Sequence, residues 1–145
     1  MSKTKNILKK RSVQLAGGTV GALALTLTLA SPSSAAASGY YSAECSTTGA
    51  WGRIIAEYYG ASSRLDFDMT IGDTLGDGHH ARARLITKNA NGTRKNWAWH
   101  SAVGNNETVS LSTYAIDSSG IHDWGVQVAR FEGDSLMNSC TNWMS

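Results

Sequence analysis

The sequence predicts an all-β protein, a small antiparallel β-sandwich of about six to seven strands. Three observations lead to this prediction: short runs in which apolar and polar residues alternate, glycine and asparagine turns between those runs, and no segment with a sustained helical period. A period of two places one face of each strand in a core and the other face in solvent. Short alternating runs separated by frequent turns are typical of two-sheet folds.

The first 37 residues predict an export signal, which must be removed before the fold is considered. A basic segment, Lys3 to Arg11, precedes an apolar run, Val13 to Ala30, and the small residues Ala35, Ala36 and Ala37 follow. We expect cleavage after Ala37, with Ala36 and Ala35 as alternatives. A retained membrane anchor is the other interpretation, because the apolar run is close to the minimum length that spans a bilayer.

Residues 38–145 form the predicted exported domain, and their charge differs from that of the whole chain. The signal contains five of the 13 basic residues and none of the 11 acidic ones, so eight basic residues remain and the net charge falls from +2 to −3. Bulk charge therefore gives no indication of nucleic-acid binding. After signal cleavage we expect no membrane association, and the predicted location is extracellular.

The domain contains the chain's two cysteines, Cys45 near its start and Cys140 near its end. An oxidising compartment preserves disulfides, so we expect these two residues to be bridged. A metal pair or a reactive thiol is the alternative interpretation.

The alternating segments give the predicted strands in order. An extended lead-in, Ser38 to Ala50, precedes them. The predicted strands are Trp51–Tyr59, Leu65–Ile71, Ala81–Thr87, Thr93–Ser101, Glu107–Thr113, Ile121–Phe131 and Leu136–Met144.

The hairpin between the third and fourth predicted strands allows two registers. A three-residue loop with Gly92 in the left-handed conformation turns Trp97 and Trp99 toward the core. A two-residue turn shifts the pairing by one and places both tryptophans beside Arg84, where they form an aromatic and cationic platform. We favour the core register, because tryptophans opposite small residues fill a core well. Trp97, Trp99 and Arg84 are the candidate ligand-binding residues of the other register.

The loop after Ile71 gathers the side chains best suited to chemistry. Asp73, Asp77, His79 and His80 combine carboxylates with imidazoles, which suits Ca²⁺, Zn²⁺ or Mn²⁺. Their spacing does not match a calcium-binding EF-hand loop. The alternative, which we favour, is that Asp73 and Asp77 accept hydrogen bonds from nearby backbone amides in Asx turns. No cofactor is predicted.

A second acidic pair, Asp66 and Asp68, lies on the polar face of its strand. Arg82 and Arg84 have the same parity on the next strand. If the two strands pair, Asp68 meets Arg82 and Asp66 meets Arg84 in surface ion pairs. This interpretation is favoured over catalytic carboxylates, because nothing in the sequence raises either pKa.

Several short stretches carry a resemblance to a known group. The run Asp66–Gly78, the Trp-Ala-Trp-His run 97–100, and Gly120-Ile121 leading into Val126–Val128 are similar to small exported proteins of actinobacteria such as streptomycetes. That group has no assigned activity, so the resemblance implies a secreted β-sandwich and no particular chemistry. Those proteins often carry a further cysteine where this chain has Ala129, which implies a single disulfide here.

Two classes of function are consistent with the sequence. The first is a non-enzymatic extracellular binding module whose partner is a cell-wall glycan or another protein. It requires that Trp51, Trp97, Trp99 and Trp124 are not all buried. The alternative is a small secreted hydrolase that uses a metal or a histidine and carboxylate pair in the loop 73–80, and it requires His80 to contact a carboxylate. No catalytic residue is assigned, since the serine-hydrolase and zinc-protease motifs are absent.

Overall fold

A computed structural model describes residues 39–104 and 106–144. In these residues the chain forms nine strands in two antiparallel sheets that pack face to face, which confirms the predicted β-sandwich. No helix within the described ranges is long and apolar enough to span a membrane. The predicted export signal lies outside the described residues. The strands are β1 Gly39–Thr47, β2 Ala50–Tyr58, β3 Leu65–Asp73, β4 His80–Lys88, β5 Arg94–Asn96, β6 His100–Ala102, β7 Thr108–Ala115, β8 Asp123–Glu132 and β9 Ser135–Trp143.

Sheet A has the strand order β1-β2-β3-β7, and sheet B has the order β5-β4-β8-β9. The short strand β6 also pairs with β4, so β5 and β6 lie one after the other along the same edge of β4. More strands form than the sequence predicted, for two reasons. The lead-in contains β1, and the predicted strand Thr93–Ser101 is interrupted and yields β5 and β6.

The period of two identified the buried faces correctly. On β3, Leu65, Phe67, Met69 and Ile71 are buried and the residues between them are more exposed, except near the end of the strand. On β8 the inward residues include Trp124, which is fully buried. Burying side chains of this size contributes about 1.5 to 3 kcal/mol each relative to full exposure, and this burial holds the two sheets together.

The two sheets approach closely where small residues face each other. A Cβ atom added at Gly52 on β2 would lie 2.8 Å from Val128 Cγ2 and 3.2 Å from Ala83 Cβ, both on sheet B. Glycine at this position therefore sets the distance between the sheets. Larger side chains, among them Trp124, belong to the same core.

One edge of the sandwich is joined by a covalent bond and by hydrogen bonds. Cys45 on β1 and Cys140 on β9 form the predicted disulfide, with their Cα atoms 6.0 Å apart. Nearby, Asn142 Nδ2 donates to the backbone oxygen of Glu44 over 2.9 Å. The first and last strands of the domain are thus fixed to each other.

The condition for the surface ion pairs, that β3 pairs with β4, is not met. The connection between them crosses from sheet A to sheet B, so β3 pairs with β2 and β7 while β4 pairs with β5, β6 and β8. Asp68 consequently accepts a hydrogen bond from Ser112, and Arg82 pairs with Asp134. Alternation predicts which face of a strand is buried, but it does not predict which sheet the strand joins. Here β3 and β4 bury their apolar faces in the same core from opposite sheets.

Candidate functional site

The outer face of sheet B carries a group of cations, because alternation along β4 and β5 turns them away from the core. Arg82, Arg84 and Lys88 are partly exposed, while the intervening Leu85 is buried. Arg94 on β5 lies directly opposite Lys88. Side chains at positions of the same parity share one face of a strand. We call the surface formed by Arg82, Arg84, Lys88 and Arg94 the basic face.

A shift in register lies beside the basic face. Lys88 pairs with Arg94 in β5. If this register continued along β4, Arg82 would pair with residue 100, but it pairs with Ser101 in β6. The additional residue falls within residues 97–99, which belong to neither strand. An extra residue of this kind is a β-bulge, and it reverses the direction of the side chains that follow it.

The shift separates the two tryptophans that the sequence placed together. Trp97 packs against the core, and its Nε1 donates to Thr87 Oγ1 over 3.1 Å. Trp99 lies on the outer side, with Arg84 Cζ 4.2 Å from its ring centroid. The three-residue loop with a left-handed Gly92, at φ +76°, is confirmed, but the core register holds only as far as Trp97.

Aromatic rings lie against the cations of the basic face. Arg82 Cζ lies 4.3 Å from the ring centroid of Phe131, and Lys88 Nζ lies 3.6 Å from that of Trp143. Arg94 Cζ is 6.0 Å from the same Trp143 ring. Contacts of this type stabilise by about 0.5 to 1 kcal/mol each at exposed sites. The cations are therefore held in position, and the groups that the basic face offers to a partner are mainly N–H donors.

Two guanidinium groups of the basic face converge on one neutral oxygen. Arg84 donates from Nε and Nη2 to Gln127 Oε1 over 2.9 and 2.7 Å, and Arg94 Nη2 donates to the same oxygen over 2.9 Å. Within the described residues, the ion pairs of the chain include neither arginine. Partial burial lowers the pKa of Arg84, and the positive charge of Arg94 lowers it further.

The other two cations of the basic face have carboxylate partners. Lys88 Nζ lies 2.7 Å from Asp123 Oδ2, and both side chains are about one third exposed. Arg82 Nη2 lies 3.1 Å from Asp134 Oδ1, but the Asp134 side chain is 97% exposed. Exposed pairs of this kind are weak and easily exchanged for another anion.

The opposite side of the sandwich is acidic. Carboxylates on β1, β2 and β3 project from the outer face of sheet A, and two of them, Glu57 and Asp66, lie directly opposite each other. A shallow cavity of about 390 Å³ on this face is lined by both carboxylates and by Tyr40 and Tyr114. The net charge of residues 38–145 is thus negative although the outer side of sheet B carries the basic face.

The loop 73–80 does not bring its four chemical side chains together. Asp73 is buried and its Oδ1 accepts a hydrogen bond from Leu75 N over 3.2 Å, while Asp77 Oδ1 accepts one from His79 N over 3.1 Å. These are the two Asx turns that the sequence favoured. Among the residues that the structure describes, no group of three or more histidine, cysteine, aspartate or glutamate side chains is arranged to hold a metal.

His79 and His80 have different partners. His80 Nε2 accepts a hydrogen bond from Arg82 Nε over 2.9 Å, so the contact that the hydrolase hypothesis requires of His80 is made by a guanidinium group. His79 Nδ1 lies 2.8 Å from Asp77 Oδ1, and Arg130 contacts both side chains. Partial burial raises the pKa of Asp77, but the side-chain and backbone hydrogen bonds from His79 and the charge of Arg130 together lower it.

The sequence placed Trp99 beside Arg84 only in the register that was not favoured, and it missed other parts of the same surface. Three residues of this surface were assigned only to predicted strands: Gln127, Phe131 and Trp143. The parity of β8 and β9 was a signal for the outward direction of these residues. The order of strands in sheet B, which brings them beside β4, was not available from the sequence.

Comparison with known proteins provides no identification. No protein-family model, no curated protein and no solved structure matches the chain.

Proposed function

We propose that the protein is an exported, non-enzymatic binding module and that the basic face holds an acidic polysaccharide outside the cell. The observation that carries this proposal is the set of cations that lie on aromatic rings across the outer side of sheet B. Surfaces that bind charged sugars need donors for the anionic groups and apolar contact area for the ring carbons, and this face supplies both.

The arrangement of the cations favours a linear polymer. Arg82, Arg84 and Lys88 follow one strand, in which two residues advance by about 6.6 Å. Their spacings of two and four residues place the cations in one row along the strand, which matches a chain that carries anionic groups along its length. Since the ring faces are partly occupied by cations, we expect charge to dominate the affinity and ring stacking to contribute less.

The proposed location rests on two features. The pattern of residues 1–37 is that of an export signal, and the disulfide between Cys45 and Cys140 is of a kind that persists outside the cytosol. The acidic outer face of sheet A argues against wrapping by a polyanion. A polymer of this type is expected to contact only one side of the domain.

Affinity electrophoresis of the domain 38–145 in gels that contain polygalacturonate, dextran or no polymer tests the proposal. We expect retardation by polygalacturonate only. The variant Arg84→Gln/Arg94→Gln should lose it, whereas Arg53→Gln/Arg64→Gln, which removes the same charge at sheet A, should keep it. The proposal would be contradicted if the second variant lost retardation as much as the first. It would also be contradicted if the domain bound single-stranded DNA as well as polygalacturonate.

A further inference from the structure

The contact between Arg84, Arg94 and Gln127 is chemically unbalanced. Three N–H donors from two guanidinium groups, at 2.7 to 2.9 Å, meet the single Oε1 of Gln127. An amide oxygen offers two lone pairs and only a partial negative charge. Three donors therefore share an oxygen that has only two lone pairs. Two positive charges also lie together without a negative charge beside them.

The surroundings do not supply the missing charge. Arg94 Nε donates to the neutral Asn96 Oδ1 over 2.8 Å, and the ring of Trp99 covers one side of Arg84. The carboxylate on the adjacent part of the face, Asp123, is engaged by Lys88. Two further carboxylates, Glu132 and Asp134, face His79 and Arg82 at the far end of the strands. The lowered pKa of Arg84 agrees with this picture, because burial and the charge of Arg94 both oppose a guanidinium ion there.

We infer that Arg84 and Arg94 form a binding site for a single oxyanion and that Gln127 Oε1 lies where an oxygen of that anion binds. The inference rests on the proposed function and adds the chemical group that is recognised, a carboxylate or phosphate group of an acidic polysaccharide. Guanidinium groups present paired N–H donors in one plane, which fits both groups. Arg94 and the partly exposed Arg84 leave the site open to solvent.

Two substitutions of Gln127 should have opposite effects on the melting temperature and on oxyanion binding. Gln127→Glu places a carboxylate between the two arginines with almost no change of shape, so it should raise the melting temperature and prevent oxyanion binding. Gln127→Ala removes the competing oxygen, so it should lower the melting temperature and retain or strengthen binding. Asn106→Asp adds the same charge in the exposed β6–β7 loop and serves as the control.

The experiment is an NMR titration of the Nε–Hε signals of Arg84 and Arg94 with inorganic phosphate and, separately, with acetate, at constant ionic strength maintained with chloride. In the wild type and in Asn106→Asp we expect saturable shifts of both signals. In Gln127→Glu the apparent dissociation constant should rise at least about tenfold. The two anions distinguish a phosphate-bearing from a carboxylate-bearing polymer as the source of the recognised group.

Non-saturable shifts in the wild type, or equal dissociation constants in the wild type and Gln127→Glu, would overturn the inference. If Gln127→Glu is poorly folded, tighter or equal binding by Gln127→Ala supports the site and a loss of binding in that variant overturns it. Failure of the site and failure of the proposed function are distinguishable. Saturable small-anion binding without polysaccharide binding refutes only the function, and polysaccharide binding that Gln127→Glu leaves unchanged refutes only the site.

Discussion

Removal of the disulfide should lower the free energy of unfolding by about 4.7 kcal/mol. Cys45 and Cys140 are separated by 95 positions. In the chain-entropy treatment, closing a loop of that length restricts the unfolded chain by about this amount at 25 °C. A single domain has a free energy of unfolding of about 5 to 15 kcal/mol, so the double variant Cys45→Ala/Cys140→Ala should fold but lie near the limit of stability.

Urea denaturation provides the assay, with the intrinsic tryptophan fluorescence as the signal, to which the buried Trp124 contributes. At a slope of about 2 kcal/mol per molar, the loss moves the midpoint down by about 2 M. The slope should also increase, because the unfolded chain without the link exposes more surface. Reduced wild-type protein is the control, since it loses the link and keeps both cysteine side chains.

A decrease below about 1.5 kcal/mol in both the variant and the reduced protein would contradict this prediction. That result would mean that the hydrogen bonds between β1 and β9, such as the one from Asn142 to Glu44, already hold the edge without the covalent link.

Two further predictions concern a glycine and the acid limb of stability. Gly72→Ala should destabilise by about 1 to 3 kcal/mol and shift the indole Nε1–H NMR signal of Trp51, because the new Cβ would overlap Trp51 Nε1. Gly78 has φ +82°, and a Cβ added there would have no atom within 4 Å, so Gly78→Ala should destabilise by only about 1 kcal/mol and leave the Trp51 signal unchanged. Equal effects of the two substitutions would contradict the packing of Gly72 against Trp51. The pKa values of Asp77 and Asp117 are lowered from 3.8, so their contribution to stability is complete above about pH 4 and is lost as the pH falls through the lowered values. Urea midpoints measured from pH 5 to pH 2 should fall less steeply in Asp77→Asn/Asp117→Asn, and an unchanged slope would contradict this.

The buried faces could be predicted from the sequence because they depend only on alternation. Leu65, Phe67, Met69 and Ile71 share a buried face whichever strand lies next to them. The Asx turns at Asp73 and Asp77 could be predicted for the same reason, since each involves an amide two residues away. Local rules were sufficient wherever the partner was local.

The surface proposed to bind ligand could be predicted only in part, because it depends on contacts between distant segments. The run of Trp97, Ala98 and Trp99 alternates regularly and gives no signal of the shift that turns Trp99 outward. Gln127 lies beside Arg84 because β8 pairs with β4, and Trp143 joins them because β9 pairs with β8. Strand order is decided by the whole domain, and no single stretch of the sequence contains it.

The indole Nε1–H NMR signals of the tryptophans can test the proposal that the basic face alone holds an acidic polymer. Trp99 and Trp143 lie on the basic face, while Trp51 lies on the outer face of sheet A and acts as an internal reference. Titration of the domain with an oligogalacturonate should shift the first two signals together, leave that of Trp51 in place, and weaken steeply as salt is added. Equal shifts at Trp51, or shifts at Trp51 alone, would contradict the account.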